Sequence, residues 1–124
     1  MIRIKVDLTS PVPAYQQVIQ ALKLEILSGR LRDGDRLPPI RDLAKILKLN
    51  PNTVAKAYYT LEEEGFVESR PGSGNWVKTR THELDGLRQS MLEGETKVYL
   101  DKAFSLGASL EDIRLTIERI TSHE

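Results

Sequence analysis

In 124 residues, 18 Lys and Arg balance 18 Asp and Glu, 40% of positions are hydrophobic and cysteine is absent. That length accommodates one domain of ordinary size plus a helical appendage, and it excludes disulfides, thiolate metal sites and a cysteine nucleophile. No apolar run approaches the ~18 residues of a membrane span, and Met1 opens an alternating segment rather than a charged-then-apolar leader, so a cytoplasmic protein with no membrane partner is expected.

The chain begins with Ile2 to Leu8 in strict period two, the pattern of a short strand that must pair with something. A helix is predicted from about Ala14 to Ser28, with Tyr15, Val18, Ile19, Leu22 and Ile26 in one stripe and with Leu24 and Leu27 outside it. Leu37 to Leu47 reads as a second short helix with Leu43, Ile46 and Leu47 apolar and Arg41 near its start. Only Lys48 and Leu49 separate it from a third helix, Asn50 to Gly65. There Asn50 can act as N-cap, Pro51 suits the first helical position and Gly65 can take the left-handed stop. At 100° per residue Val54, Ala57, Tyr58 and Leu61 gather on one side. Asn52, Lys56 and Tyr59 point the other way, flanked by Thr53 and Thr60. Two helices joined by so short a turn form a helix-turn-helix, whose second helix can present amides, hydroxyls and a cation to a major groove. The alternative for the third helix taken alone is an ordinary amphipathic surface helix.

Phe66 to Arg70 and Asn75 to Lys78 read as strands around the tip Pro71-Gly72-Ser73-Gly74, a hairpin with Arg70 at its base that completes a winged helix. Small residues at the tip would let backbone amides approach phosphate or minor groove. Beyond it Thr81 can cap a helix carrying Glu83 and Asp85 in its first turn, with Leu84, Leu87 and Met91 in sequence before Gly94 interrupts the pattern. Tyr99 to Leu106 stops at Gly107, and Ser109 with Asp112 opens a last helix with the stripe Leu110, Ile113, Ile117 and Ile120. Residues 1–80 hold 13 Lys and Arg against 9 Asp and Glu, a balance of +4, whereas residues 81–124 hold 5 against 9, a balance of −4. A basic first part suits phosphate contact and an acidic tail suits another task.

The run Leu37-Pro38, Arg41, Leu43-Ala44, Asn52-Thr53-Val54, Ala57-Tyr58, Leu61-Glu62, Glu64-Gly65, Gly72, Gly74 and Val77 resembles the GntR family of bacterial transcription regulators, over the N-terminal two thirds. Pro13-Ala14-Tyr15-Gln16-Gln17-Val18 and the turn Gly29 to Asp35 resemble that family's first helix and following loop. The wording from Asn50 to Tyr58 and the short tail are similar to its YtrA-type subgroup, in which two helices replace a large effector domain. Two departures stand out. Pro39 replaces the serine of the Leu-Pro-Ser-x-Arg element, and Pro51 and Ala55 stand where relatives often carry arginine in the recognition helix.

The expected fold is therefore mainly α with a small β-hairpin wing: a winged helix-turn-helix over residues 1–80 and a helical dimerisation segment over residues 81–124. The expected function is sequence-specific binding of double-stranded DNA by a transcriptional regulator, a repressor acting by occlusion. As a homodimer, which the resemblance also implies, it would meet an inverted-repeat operator. Contacts are assigned to Arg41, Asn52, Thr53, Lys56, Tyr59, Arg70, Gly72, Ser73 and Gly74. No cofactor is called for, and whether a small-molecule effector exists is left open. The competing reading is a winged-helix module that docks on protein, with Tyr58 and Tyr59 as anchors. An enzyme is disfavoured by the lack of a P-loop, a serine elbow or a clustered acid-base set. The pairs His82-Glu83 and His123-Glu124 are read as surface residues rather than metal ligands.

Overall fold

The computed structural model describes residues 4–79 and 81–122, with the side chains of Thr81 and His82 outside the described set. The chain divides into two compact units, Met1–Leu84 and Asp85–Glu124. Among the described residues there are five helices and one hairpin: α1 Ala14–Leu27, α2 Ile40–Leu47, α3 Pro51–Glu63, β1 Val67–Arg70, β2 Gly74–Val77, α4 Thr81–Ser105 and α5 Leu110–Thr121. No helix among the described residues is long and apolar enough to cross a membrane.

The first unit has a core drawn from α1, α2, α3 and the hairpin. α1 supplies Val18, Ile19, Leu22 and Ile26, α2 supplies Leu43 and Ala44, α3 supplies Val54, Ala57, Tyr58 and Leu61, and the hairpin supplies Val67 and Val77. Tyr15 is half-buried at the margin of this cluster. Ile46, expected among the apolar residues of α2, is 63% exposed. In a helix of eight residues the inward arc centres on Ile40, Leu43, Ala44 and Leu47, and Ile46 lies about a third of a turn away from it. Leu24 is exposed and Leu27 buried.

Glu25, on the buried side of α1, satisfies its carboxylate with Arg30 Nε at 2.9 Å. The turn from α2 to α3 passes through Lys48 in the left-handed region (φ 57°, ψ 44°), where the Leu49 N–H donates to the Ala44 carbonyl at 2.8 Å. Tyr58 ties the third helix to the segment ahead of the second, its hydroxyl donating to the Pro38 carbonyl at 2.7 Å. Burial pushes that phenol well above its ordinary range.

The strand expected over Ile2 to Leu8 does not form in its described part. Ile4 to Leu8 join no sheet, and Ile2 and Arg3 lie outside the described residues. The alternation has another cause: Ile4 and Val6 pack against the core while the Gln17 side chain serves the backbone. Gln17 Oε1 accepts from the Asp7 N–H at 2.8 Å, and Gln17 Nε2 donates to the carbonyls of Asp7 and Val12 at 2.9 Å each.

β1 and β2 pair antiparallel in the register Val67↔Val77, Glu68↔Trp76, Ser69↔Asn75 and Arg70↔Gly74. The free edge of β2 is also occupied. Residues Gly34 to Leu37 exchange three backbone hydrogen bonds of 2.7 to 2.8 Å with Asn75 and Val77, around an isolated bridge between Arg36 and Trp76.

α4, whose residues from Asp85 onward belong to the second unit, is one continuous helix that runs through Gly86 and Gly94. Each glycine weakens a helix interior by about 1 kcal/mol without terminating it. The stop comes at Gly107, at φ 86°. α5 opens on a reciprocal capping box: the Asp112 N–H donates to Ser109 Oγ at 3.1 Å, and Asp112 Oδ2 accepts from the Ser109 N–H at 2.9 Å. Ala103 and Ile113 are this unit's buried apolar side chains among the described residues, whereas Leu110, Ile117 and Ile120 of the expected stripe are exposed.

Candidate nucleic-acid interface

The site begins with how α3 is started. Asn50 is extended at φ −65° and ψ 135°, its Oδ1 accepts from the Asn52 N–H at 2.8 Å, and Pro51 occupies the first helical position. Because both signals are local, the helix phase is fixed, and with it the division of faces. Val54, Ala57 and Leu61 are fully buried and Tyr58 nearly so. Asn52, Lys56 and Tyr59 are exposed, with Thr53 and Thr60 half-buried at the flanks.

The outward residues are not equally free. Lys56 Nζ lies 3.8 Å from the centroid of the Tyr15 ring, which holds the ammonium at the seam between α3 and α1. Thr60 Oγ1 donates back to the Lys56 carbonyl at 3.0 Å. Tyr59 is hydrogen-bonded to Glu63, whose carboxylate raises the pKa of the phenol, so its polar end faces the acidic end of the helix. Asn52 and Thr53 lie in the first turn, side chains unengaged among the described residues.

α2 presents Arg41, its second residue, exposed and without an ion pair among the described residues. Pro39 sits at the N-cap and supplies no side-chain acceptor.

In the wing, the Ser73 N–H closes the turn on the Arg70 carbonyl at 2.9 Å, and Gly72 takes φ 75°. Gly72 and Ser73 are exposed at the tip. Gly74 is not part of the tip. It is the first residue of β2, half-buried, and a Cβ on it would come within 2.9 Å of Arg36 Nε. Arg70 sits with its Cζ 4.9 Å from the Trp76 ring centroid and its Nη2 3.3 Å from Glu68 Oε2.

Sequence reasoning overlooked Arg36, whose Cζ stands 5.8 Å from the same indole ring. Its signal was the residue pair ahead of Pro38. Positions preceding proline favour extended backbone, so Arg36-Leu37 could have been read as a strand feeding α2 rather than as loop. His123 and Glu124 lie outside the described residues, as does the His82 side chain. Among the described residues no cluster of three or more potential metal ligands occurs.

Residues 14–77 match the family described as bacterial regulatory proteins, gntR family. The chain is 36% identical over 121 residues to the HTH-type transcriptional repressor YtrA of Bacillus subtilis, covering 96% of this chain and 92% of that protein. Among solved structures, YtrA from Sulfolobus acidocaldarius, a GntR-family transcription factor, aligns at 33% identity over 97% of both chains with a TM-score of 0.58. The DNA-binding domain of AraR in complex with operator ORX1 shares the fold at 24% identity, covering 60% of this chain and 96% of that one with a TM-score of 0.56.

Proposed function

The chain belongs to the GntR family of bacterial regulatory proteins and is a transcriptional regulator built on a winged helix; from that premise we propose that it represses by occluding a promoter as a homodimer on an inverted-repeat operator. The observation that carries this reading is the division of α3: one side is sealed into the core, and the other presents Asn52 fully and Thr53 in part to solvent, with the hairpin following it directly in the chain. In a major groove Asn52 and Thr53 can pair with base edges, while Lys56 and Arg41 neutralise phosphates. Gly72 and Ser73 bring the wing backbone close to the duplex, and Arg70 adds charge there. Tyr59 meets the sugar-phosphate backbone only if it releases Glu63.

The second unit supports the dimer. Leu92, Val98, Phe104, Leu110, Ile117 and Ile120 are each about half exposed or more, a larger apolar surface than a solitary pair of helices can leave in water. A second copy is the occupant that would cover it and also set two recognition helices about ten base pairs apart. The protein works in the cytoplasm, where promoters are, and performs no chemistry of its own.

Footprinting on the DNA upstream of the chain's own gene tests the proposal. Two protected half-sites with inverted symmetry are expected. Failure to retard any genomic fragment in a gel would instead favour a protein-docking module.

A further inference from the structure

We propose that Arg36 is a phosphate-binding cation at the edge of the wing, beside Arg70, and that Trp76 and Gly74 position it. The proposal rests on the DNA-binding reading above and deepens it by assigning a contact outside both α3 and the hairpin.

Strand register places the relevant side chains on one face. Trp76 lies opposite Glu68 on one side and bridges Arg36 on the other, and the next row holds Gly74 opposite Arg70. Side chains two residues apart on a strand share a face, so Arg36, Trp76, Glu68 and Arg70 all rise from the same side. Distances bear this out. The guanidinium carbons of Arg36 and Arg70 lie 5.8 and 4.9 Å from one ring centroid, hence no more than about 11 Å from each other.

Three features make this a prepared cationic surface. The carboxylate on this face, Glu68, is engaged by Arg70, while Arg36 has no acidic partner among the described residues. A ring face attracts a guanidinium and restrains it, so less conformational entropy remains to be lost when an anion arrives. Space for Arg36 exists because position 74 lacks a side chain: a Cβ there would meet Arg36 Nε at 2.9 Å and Nη2 at 3.1 Å. Glycine at the start of β2 is thus explained by a cation crossing it as well as by its φ of 110°. Two guanidiniums so close, of which Arg70 alone is paired with a carboxylate among the described residues, suit a polyanion whose charges repeat at short intervals, and the sugar-phosphate backbone of duplex DNA is such a polyanion.

Trp76 Nε1 is buried and has no acceptor among the described residues, so the ring acts through its face, and phenylalanine should replace it. This gives a clean test using the full chain and a 30-base-pair duplex of arbitrary sequence, because phosphate contacts do not depend on sequence. Affinity is measured by fluorescence anisotropy between 50 and 200 mM salt. R36M keeps the aliphatic stem over the ring and removes the charge. It should lower the salt slope by about one contact for each protomer engaged, so that the fourfold salt increase costs about 3.5-fold less affinity per engaged protomer than in the wild type. W76A should lower the slope in the same way and W76F should leave it unchanged, whereas a merely structural loss would weaken binding at every salt without changing the slope. A wild-type slope in R36M, or a loss in W76F equal to that in W76A, overturns the proposal. Wild-type protein that fails to bind the duplex overturns the DNA-binding reading as well.

Discussion

Removing the hydroxyl of Tyr58 tests how α3 is held to the rest of the helix-turn-helix. The side chain is 2% exposed and its hydroxyl donates to the Pro38 carbonyl at 2.7 Å, twenty residues back along the chain. Tyr58→Phe removes a net hydrogen bond contributing about 1 kcal/mol and leaves a carbonyl short of a donor, for a combined loss of roughly 1 to 2 kcal/mol. In a unit of this size that lowers Tm by roughly 5 to 10 °C. A second signature lies at high pH. Burial raises the phenol pKa above its ordinary value, so in that range the unfolded chain releases this proton before the folded one does. The stabilisation is complete below pH ~10 and is lost as pH rises from there towards the folded value, at about 1.4 kcal/mol per unit. Tyr58→Phe should abolish that component, and the difference between the two proteins isolates it from the other three tyrosines. Urea unfolding followed by circular dichroism at pH 8 and above pH 10 measures both effects. Equal stability at pH 8 together with parallel alkaline limbs would refute the inference that this bond fastens α3.

Asn50→Ala removes the acceptor for the Asn52 N–H and should cost about 1 kcal/mol in urea unfolding. For Lys56→Ala, weaker binding to duplex DNA and a salt slope smaller by about one for each protomer engaged are expected in an anisotropy titration, and an unchanged slope would show that Tyr15 keeps this ammonium from phosphate. At the start of α5, hydrogen bonds from the Ser109 backbone and then its hydroxyl hold the Asp112 carboxyl below the usual carboxylate range. That stabilisation is present above the ordinary carboxylate pKa and disappears as pH falls through the depressed value. Thermal melts of wild type and Asp112→Ala, which removes the titrating carboxylate itself, should therefore differ at pH 7 and draw together towards pH 2.

The parts of this fold legible in the sequence are those whose cause is local. Asn50, Pro51 and Gly65 bracket α3 within sixteen residues, and Ser109 with Asp112 starts α5, so caps alone set where those helices begin and, for α3, which face it buries. Where a pattern had more than one physical cause, it misled. Alternation over Ile4 to Leu8 reflects packing and the side chain of Gln17 rather than a strand. Ile46 matched a three-residue spacing, but α2 is too short for its arc to reach that position. Gly94 lowered helix propensity at one position of a 25-residue helix, too little to break it. Contacts between distant segments were invisible. Arg36 reaches Trp76 across forty residues through a sheet edge, and Gly74 was assigned to the tip because nothing local reveals the guanidinium beside it.

The most direct test replaces Asn52 and Thr53 together by alanine and compares affinity for the footprinted operator with that for a scrambled duplex of equal length. If the outward side of α3 reads bases, the wild type should prefer the operator by ~10³ or more. The double variant should lose most of that preference while keeping its affinity for scrambled DNA. An operator preference that survives the double substitution would contradict the assignment of base reading to this helix.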